Sequence, residues 1–189
     1  RVVGLKVKGK DGTYTIHSKA VVDAAGGFGA NNEMVAKYVP RLKGFATTNH
    51  PGATGDGLLL AEKIGAQLIQ MDQIQTHPTV VPNVGEMITE AVRGNGAVLI
   101  NKEGKRFFNE LETRDKVSAA ILKQKDGVAY LFFDSDMQKS LKATNNYIKQ
   151  KYCLNGATLD EVAGKMGVPA DTLKATMDAW KAGKAANKD

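Results

Sequence analysis

The sequence predicts an α+β chain built in two parts, and three observations carry that prediction. Alternating apolar residues flank an Asp-Gly turn close to the start, the mark of a β-hairpin. Capped, amphipathic stretches with glycine stops fill much of the second half, the mark of helices. Between them the texture changes, with glycine-marked turns before about residue 80 and helix caps after it. A boundary at residues 72–78 is expected, which separates residues 1–75 from residues 76–189.

In the first part, "RVVGLKVKG" and "YTIHS" form the hairpin around "KDGT", with His17 an ordinary surface residue of the second strand. "AVVDAAGG", residues 20–27, is a short apolar run ending in small residues. It is expected to be a buried strand whose end lets a ligand approach the backbone. "ATGDGLLLAEKIGAQLIQ" is expected to give a turn, a helix over Leu58–Ile64 and a strand, with Gly65 ending the helix in the left-handed conformation. Gly55 and Gly57 flank Asp56 at the helix entry. Free backbone N–H groups there suit a phosphate or another polar ligand group. A tight turn with Asp56 as the helix cap fits the same residues.

In the second part, "AVLINKEGKRFFN" reads as a β-hairpin turning at "NKEG". "TRDKVSAAILKQ" reads as a helix capped by Thr113, "GVAYLFF" as a buried strand, and "DSDMQKSL" as a helix capped by Asp134. "TLDEVAGKMG" carries a capping box, Thr158 with Glu161, and stops at Gly167. "PADTLKATMDAWKAG" places Leu173, Met177 and Trp180 on one helix face. Met166, Met177 and Trp180 are core-stripe residues in this pattern.

Composition narrows the function. Hydrophobic residues make up 42% and charged residues 24%, which supports a buried core and argues against disorder. No apolar run is long enough to cross a bilayer, and no signal peptide opens the chain. The opening residues read as the middle of a strand pair, so an excised piece of a longer protein is expected. The net charge of +6 comes from scattered lysines, without the run that marks a nucleic-acid footprint. Cys153 stands alone, so neither a disulfide nor a metal set is indicated. No Gly-x-Ser-x-Gly elbow is present for a serine triad.

A polar set remains: His77, Thr89, Glu90, Arg93 and Arg114. Pro78 holds His77 extended and fixes the direction of its side chain. Glu90 and Arg93 lie three apart in a short helix starting at Thr89, so they face one another. A surface ion pair of little energetic weight fits them equally well. Arg114 sits in the first turn of its helix, where a cation opposes the dipole. A local rule broken without visible compensation points to function. On these grounds the chain is an anion-handling protein of unspecified activity.

The segments "AAGGFGANNE", "TNHPGATGDG", "QTHPT" and "MITEAVRGNGAVLINKEGKRFFNELETRDKVSAAIL" resemble the soluble fumarate reductase flavoproteins, most closely the flavocytochrome c type. That family is related to succinate dehydrogenase and L-aspartate oxidase. The resemblance covers almost the whole chain. It implies that residues 1–75 are the latter part of a Rossmann-type FAD domain and that residues 76–189 are most of a small α+β capping (clamp) domain, with the active site between the two. It also implies non-covalent FAD, with Ala24, Ala25, Gly26 and Gly27 at the nucleotide and Thr54, Gly55 and Asp56 near the isoalloxazine. Haem is expected only in a separate domain, since no Cys-x-x-Cys-His motif occurs. The pyrophosphate fingerprint and the family's closing His and Arg are absent as well, so independent activity of these residues is not expected.

The resemblance further implies that His77 and Thr89 bind a carboxylate of fumarate and that Met87 presses on the substrate. Arg114 would deliver a proton while flavin N5 delivers hydride, and Glu90 and Arg93 would relay protons to Arg114. A bacterial periplasmic enzyme of anaerobic respiration is implied, with an unspecified electron donor and a dicarboxylate substrate. Two alternatives stay open. One is a reductase of another unsaturated acid, such as urocanate, methacrylate or an arylacrylate. The other is a catalytically silent capping or interaction module.

Overall fold

A computed structural model describes residues 1–186 and divides the chain into two compact units, one spanning Arg1–Ile74 and the other beginning at Gln75. In the first unit, β1 (Gly4–Gly9) and β2 (Gly12–His17) pair antiparallel about the expected Asp-Gly turn. The register sets Leu5 opposite Ile16 and Val7 opposite Tyr14, which collects the apolar side chains on one face. Helix α1 (Asn32–Tyr38) follows, capped by Asn31, whose side chain accepts from Met34 N–H. Helix α2 (Asp56–Lys63) ends at Ile64, and Gly65 takes the expected left-handed conformation at φ 92°. Met34, Val39 and Leu42 supply this unit's buried side chains.

Three expectations fail here. Residues 20–27 form no strand and are largely exposed; Val22 is 87% exposed. Residues 66–70 form no strand either. A strand needs a neighbour for its N–H and C=O groups, and among the described residues β1 and β2 pair only with each other. The apolar run at 20–27 therefore has the composition of a strand without a ladder to join. Asp56 is also not the cap of α2. Left-handed Gly55 occupies that position, without a side-chain hydrogen bond, and Asp56 opens the helix.

The second unit is built around β3 (Val98–Ile100), which is buried along its length. It pairs antiparallel with β4 (Tyr130–Phe132), Val98 opposite Phe132 and Ile100 opposite Tyr130. The hairpin expected within residues 97–109 shrinks to a single bridge, Ile100 with Arg106, because the next N–H along β3, that of Leu99, donates to the Glu110 carboxylate instead of to a second strand. Asn101 shapes the turn by accepting from the N–H groups of Glu103 and Lys105, each at 3.0 Å.

Helices surround this pair: α3 (Glu90–Gly94), α4 (Arg114–Leu122), α5 (Ser135–Ser140), α6 (Ala143–Lys149), α7 (Leu159–Met166) and α8 (Ala170–Ala185). Strand alternation sends Val98 and Ile100 to one face, against Ala163, Met166, Leu173 and Met177 of α7 and α8. Leu99 points the other way, onto Val117 and Ile121 of α4. Val92 of α3 packs with Met137 and Tyr147 in a third cluster. Asp134 accepts from Asp136 and Met137 N–H, Thr158 accepts from Glu161 N–H, and Gly167 closes α7 at φ 67°, as expected. Thr113 stands at the cap position of α4 without a side-chain cap bond, and the capping box is half made, since the Glu161 carboxylate accepts from Ala157 N–H. Trp180 packs against the α7–α8 cluster, as its spacing predicts. No helix among the described residues is long and apolar enough to cross a membrane.

Candidate active site

The second unit gathers the polar set around the start of α3. Residues 79–81 run beside residues 86–88, with Ile88 N–H donating to Thr79 O at 2.9 Å and Val80 bridged to Met87. Thr79 Oγ1 donates to Ile88 O at 2.8 Å and locks the two segments. This pairing carries His77 and Thr89 to the same end of the structure. Thr89 caps α3: its hydroxyl accepts from Ala91 N–H at 3.4 Å, which leaves its own proton available to a ligand. Its backbone N–H is held by the Tyr147 hydroxyl at 3.0 Å.

His77 Nδ1 accepts from Thr79 N–H at 3.3 Å, so the neutral ring carries its proton on Nε2. Burial pushes its pKa below the usual value, and the positive charges of Arg114 and Arg93 add to that, opposed by Glu90. A neutral imidazole with an Nε2–H donor is the result.

Arg114 occupies the first turn of α4, as expected, and the dipole cost has a compensation that only the structure reveals. Glu90 accepts from Arg114 Nε at 2.5 Å and from Nη2 at 2.6 Å, a two-pronged fork across 24 residues of sequence. The fork pulls the Glu90 carboxyl down to about 2 and raises the Arg114 guanidinium further. Arg114 Nη1 donates to Gln75 Oε1 at 2.5 Å. On the other side Glu90 Oε1 meets Arg93 Nη2 at 3.3 Å. Arg93 is 5% exposed, and burial lowers its pKa. Arg114, Glu90 and Arg93 thus form one continuous hydrogen-bonded series. Met87 is 44% exposed, its backbone beside Val80.

Sequence reasoning missed Gln75. Its signal was present, because residues two apart on an extended run share a side, and Gln75 precedes His77 by two. Glu110, Arg106 and Tyr147 also went unseen, since none carries a local pattern.

In the first unit, the two glycine segments lie against each other. Gly55 N–H donates to Gly27 O at 3.0 Å, Ala30 N–H to Ala53 O at 2.9 Å, and Asn31 Nδ2 to Thr54 O at 2.9 Å. Asp23 turns the preceding residues by accepting from Ala25 N–H at 3.0 Å. A Cβ on Gly57 would come within 2.4 Å of Asp23 Oδ1, and one on Gly55 within 2.8 Å of both Met34 Sδ and Phe28 Cβ. Glycine is required on this packed side. On the other side Ala24–Gly27 is exposed, Gly26 has φ 82°, and a Cβ on Gly26 or Gly27 would meet nothing. Bare backbone with no side chain beyond a methyl is what a bulky, oxygen-rich nucleotide needs for close approach, so these residues fit FAD.

A family model described as an FAD binding domain matches residues 1–187. The chain belongs to that FAD-binding family. It is 47% identical over 189 residues to a fumarate reductase (cytochrome) of Shewanella frigidimarina, covering all of this chain and 33% of that protein. It is 46% identical over 165 residues to an NADH:fumarate oxidoreductase of Klebsiella pneumoniae (strain 342), covering 87% of this chain and 18% of the relative. Among solved structures it resembles the open conformation of a flavocytochrome c3 fumarate reductase, with a TM-score of 0.75 and 42% identity, over 98% of this chain and 33% of that one. The chain therefore spans a third or less of the length of these relatives.

Proposed function

We propose that this chain carries the substrate-handling and proton-handling residues of an FAD-dependent fumarate reductase that converts fumarate to succinate. The observation that carries the reading is the Arg93–Glu90–Arg114 series, with a neutral His77 and the Thr89 hydroxyl beside it. In this reading residues 1–75 belong to the FAD domain, and residues 76–189 to a capping domain. Ala25, Gly26, Gly27, Thr54, Gly55 and Asp56 would hold the cofactor non-covalently. FAD, when bound, supplies the hydride that adds to one alkene carbon.

The chain's own residues supply the rest. His77 Nε2–H and the Thr89 hydroxyl donate to a substrate carboxylate, and Met87 bears on the substrate to favour a twisted double bond. Arg114 gives a proton to the second alkene carbon, and its cation stabilises the negative charge that develops there. Nε is committed to Glu90, whereas Nη1 and Nη2 each donate one hydrogen, to Gln75 and Glu90, and keep a second for the substrate. A guanidinium releases a proton only if another replaces it at once, because its pKa is otherwise too high. Glu90 touches both arginines and can pass that replacement from Arg93. Binding that exists only as charge develops raises kcat more than it lowers KM.

The setting proposed is the bacterial periplasm, on the resemblance to the flavocytochrome c type. The test is Arg114→Ala in the intact, FAD-loaded enzyme, assayed with a reduced dye and fumarate. Turnover should fall by at least about a thousandfold while flavin absorbance stays unchanged, and near-normal turnover would sink the proton-donor role. Urocanate in the same assay separates a fumarate site from one built for a larger acid.

A further inference from the structure

Behind the polar series lies a further ion pair, between buried Glu110 and part-buried Arg106. Glu110 is 4% exposed, although it sits in the loop between β3 and α4. Its carboxylate accepts from Leu99 N–H at 2.7 Å, from Arg106 Nη2 at 2.8 Å and from Arg106 Nε at 3.1 and 3.2 Å. The Leu99 contact fastens the loop to the central strand, and the Arg106 fork fastens it to itself. Its main-chain carbonyl faces the other way and accepts from Arg93 Nη1.

Arg93 depends on that carbonyl. Its Nε is buried without a partner, so among the described residues its hydrogen bonds go only to Glu90 Oε1 and Glu110 O. An unsatisfied buried donor leaves the guanidinium held at two points, and losing either would let the plane turn. The charges therefore alternate along one connected line: Arg106, Glu110, Arg93, Glu90, Arg114. The last three are the residues singled out from sequence, whereas the first two are new.

We propose that Glu110, gripped by Arg106 and by Leu99 N–H, is a positioning residue that aims Arg93 Nη2 at Glu90. The inference rests on the reading that Glu90 and Arg93 return protons to Arg114. A structural brace for the loop would need the fork and the Leu99 contact only. The carbonyl bond to Arg93 is the feature a brace does not require. It makes the orientation of a buried arginine depend on a carboxylate on its far side. Glu110 touches neither substrate nor flavin in this role, so it acts through Arg93.

The experiment compares Glu110→Gln and Glu110→Asp in the intact, FAD-loaded enzyme with Thr144→Val. Thr144 is buried, and its hydroxyl bonds Leu141 O at 2.7 Å, so that variant lowers stability away from the line. Glu110→Gln should lower kcat for fumarate by roughly tenfold to a hundredfold, with KM moved by less than about twofold. The guanidinium NMR signals of Arg93 should shift in the same variant. Glu110→Asp, which keeps the charge, should restore part of both. A kcat loss no greater than that of Thr144→Val at equal loss of Tm would overturn the proposal, as would unmoved Arg93 signals. If Glu110→Gln does not fold, Arg106→Lys, which keeps the charge and loses the fork, is held to the same two outcomes. If Arg114→Ala retains turnover, the proton-return reading fails, and the Arg93 signals alone decide whether Glu110 orients it.

Discussion

The two units hold their functional groups in opposite ways. In the first, every residue of β2 is exposed, and the Ala24–Gly27 segment that fits FAD meets the surroundings as bare backbone. In the second, β3 is buried along its whole length, and the candidate catalytic groups are side chains held by hydrogen bonds to one another, from buried Arg93 out to the half-exposed Glu90–Arg114 pair. On the proposed function, the difference matches what each site would grip. A nucleotide approached through backbone N–H and C=O groups needs residues without side chains, and such residues contribute little apolar area to a core. Carboxylate binding and proton transfer need side chains held to within a fraction of an ångström, which a dense core provides.

The sharpest way to test that contrast is a matched pair of truncations. Leu173 is fully buried in the α7–α8 cluster, so Leu173→Ala should cost about 2–5 kcal/mol. Urea unfolding followed by Trp180 fluorescence would read it, because Trp180 packs on the same cluster. Next in size is Gly55→Ala. A positive φ and a Cβ 2.8 Å from Phe28 Cβ should together cost about 1–3 kcal/mol in the first unit. FAD binding should weaken while the Trp180 transition stays in place. A shift of that transition would mean that the two units do not respond separately.

Leu5→Ala is the counterpart of Leu173→Ala. Leu5 is 44% exposed on the hairpin, so the cost should stay below about 0.5 kcal/mol. A loss comparable with Leu173→Ala would show that the apolar hairpin face is covered in solution.

The smallest effect concerns Glu90. Its folded-state pKa is depressed to about 2 from an ordinary 4.5, chiefly by its hydrogen bonds to Arg114. A depressed carboxyl contributes stability that is present above the unfolded pKa and lost as pH falls through the folded one. Acid titration of stability between those values should therefore be steeper in the parent than in Glu90→Gln. Solvent screens the half-exposed pair, so the difference should be modest. Equal slopes would mean that the fork does not persist in solution.

The legibility of the site follows the range of its interactions. Caps and stops were readable because a cap bonds N–H groups two or three residues away, as at Thr89, Asp134 and Thr158. The Glu90–Arg93 pair was readable for the same reason. The two strands expected at residues 20–27 and 66–70 were misread because composition reports apolar character without reporting a neighbouring strand. Of the two readings open at the entry of α2, the Asp56 cap falls, because glycine in the left-handed region can begin a helix without a side-chain cap.

By itself the sequence determined most helices of the second unit, though not α6 or the extent of the hairpin at residues 97–109, together with the glycine positions, the polar set and the family likeness. All of these rest on contacts within a few residues or on motif order along the chain. The tertiary structure decided which partners those residues have. It set Glu90 against Arg114 across 24 positions, Gly27 against Gly55, and β3 against β4. It also placed Glu110 behind Arg93. Such pairings depend on how a whole core closes, because a buried charge or strand edge is satisfied by whichever group packing brings within reach.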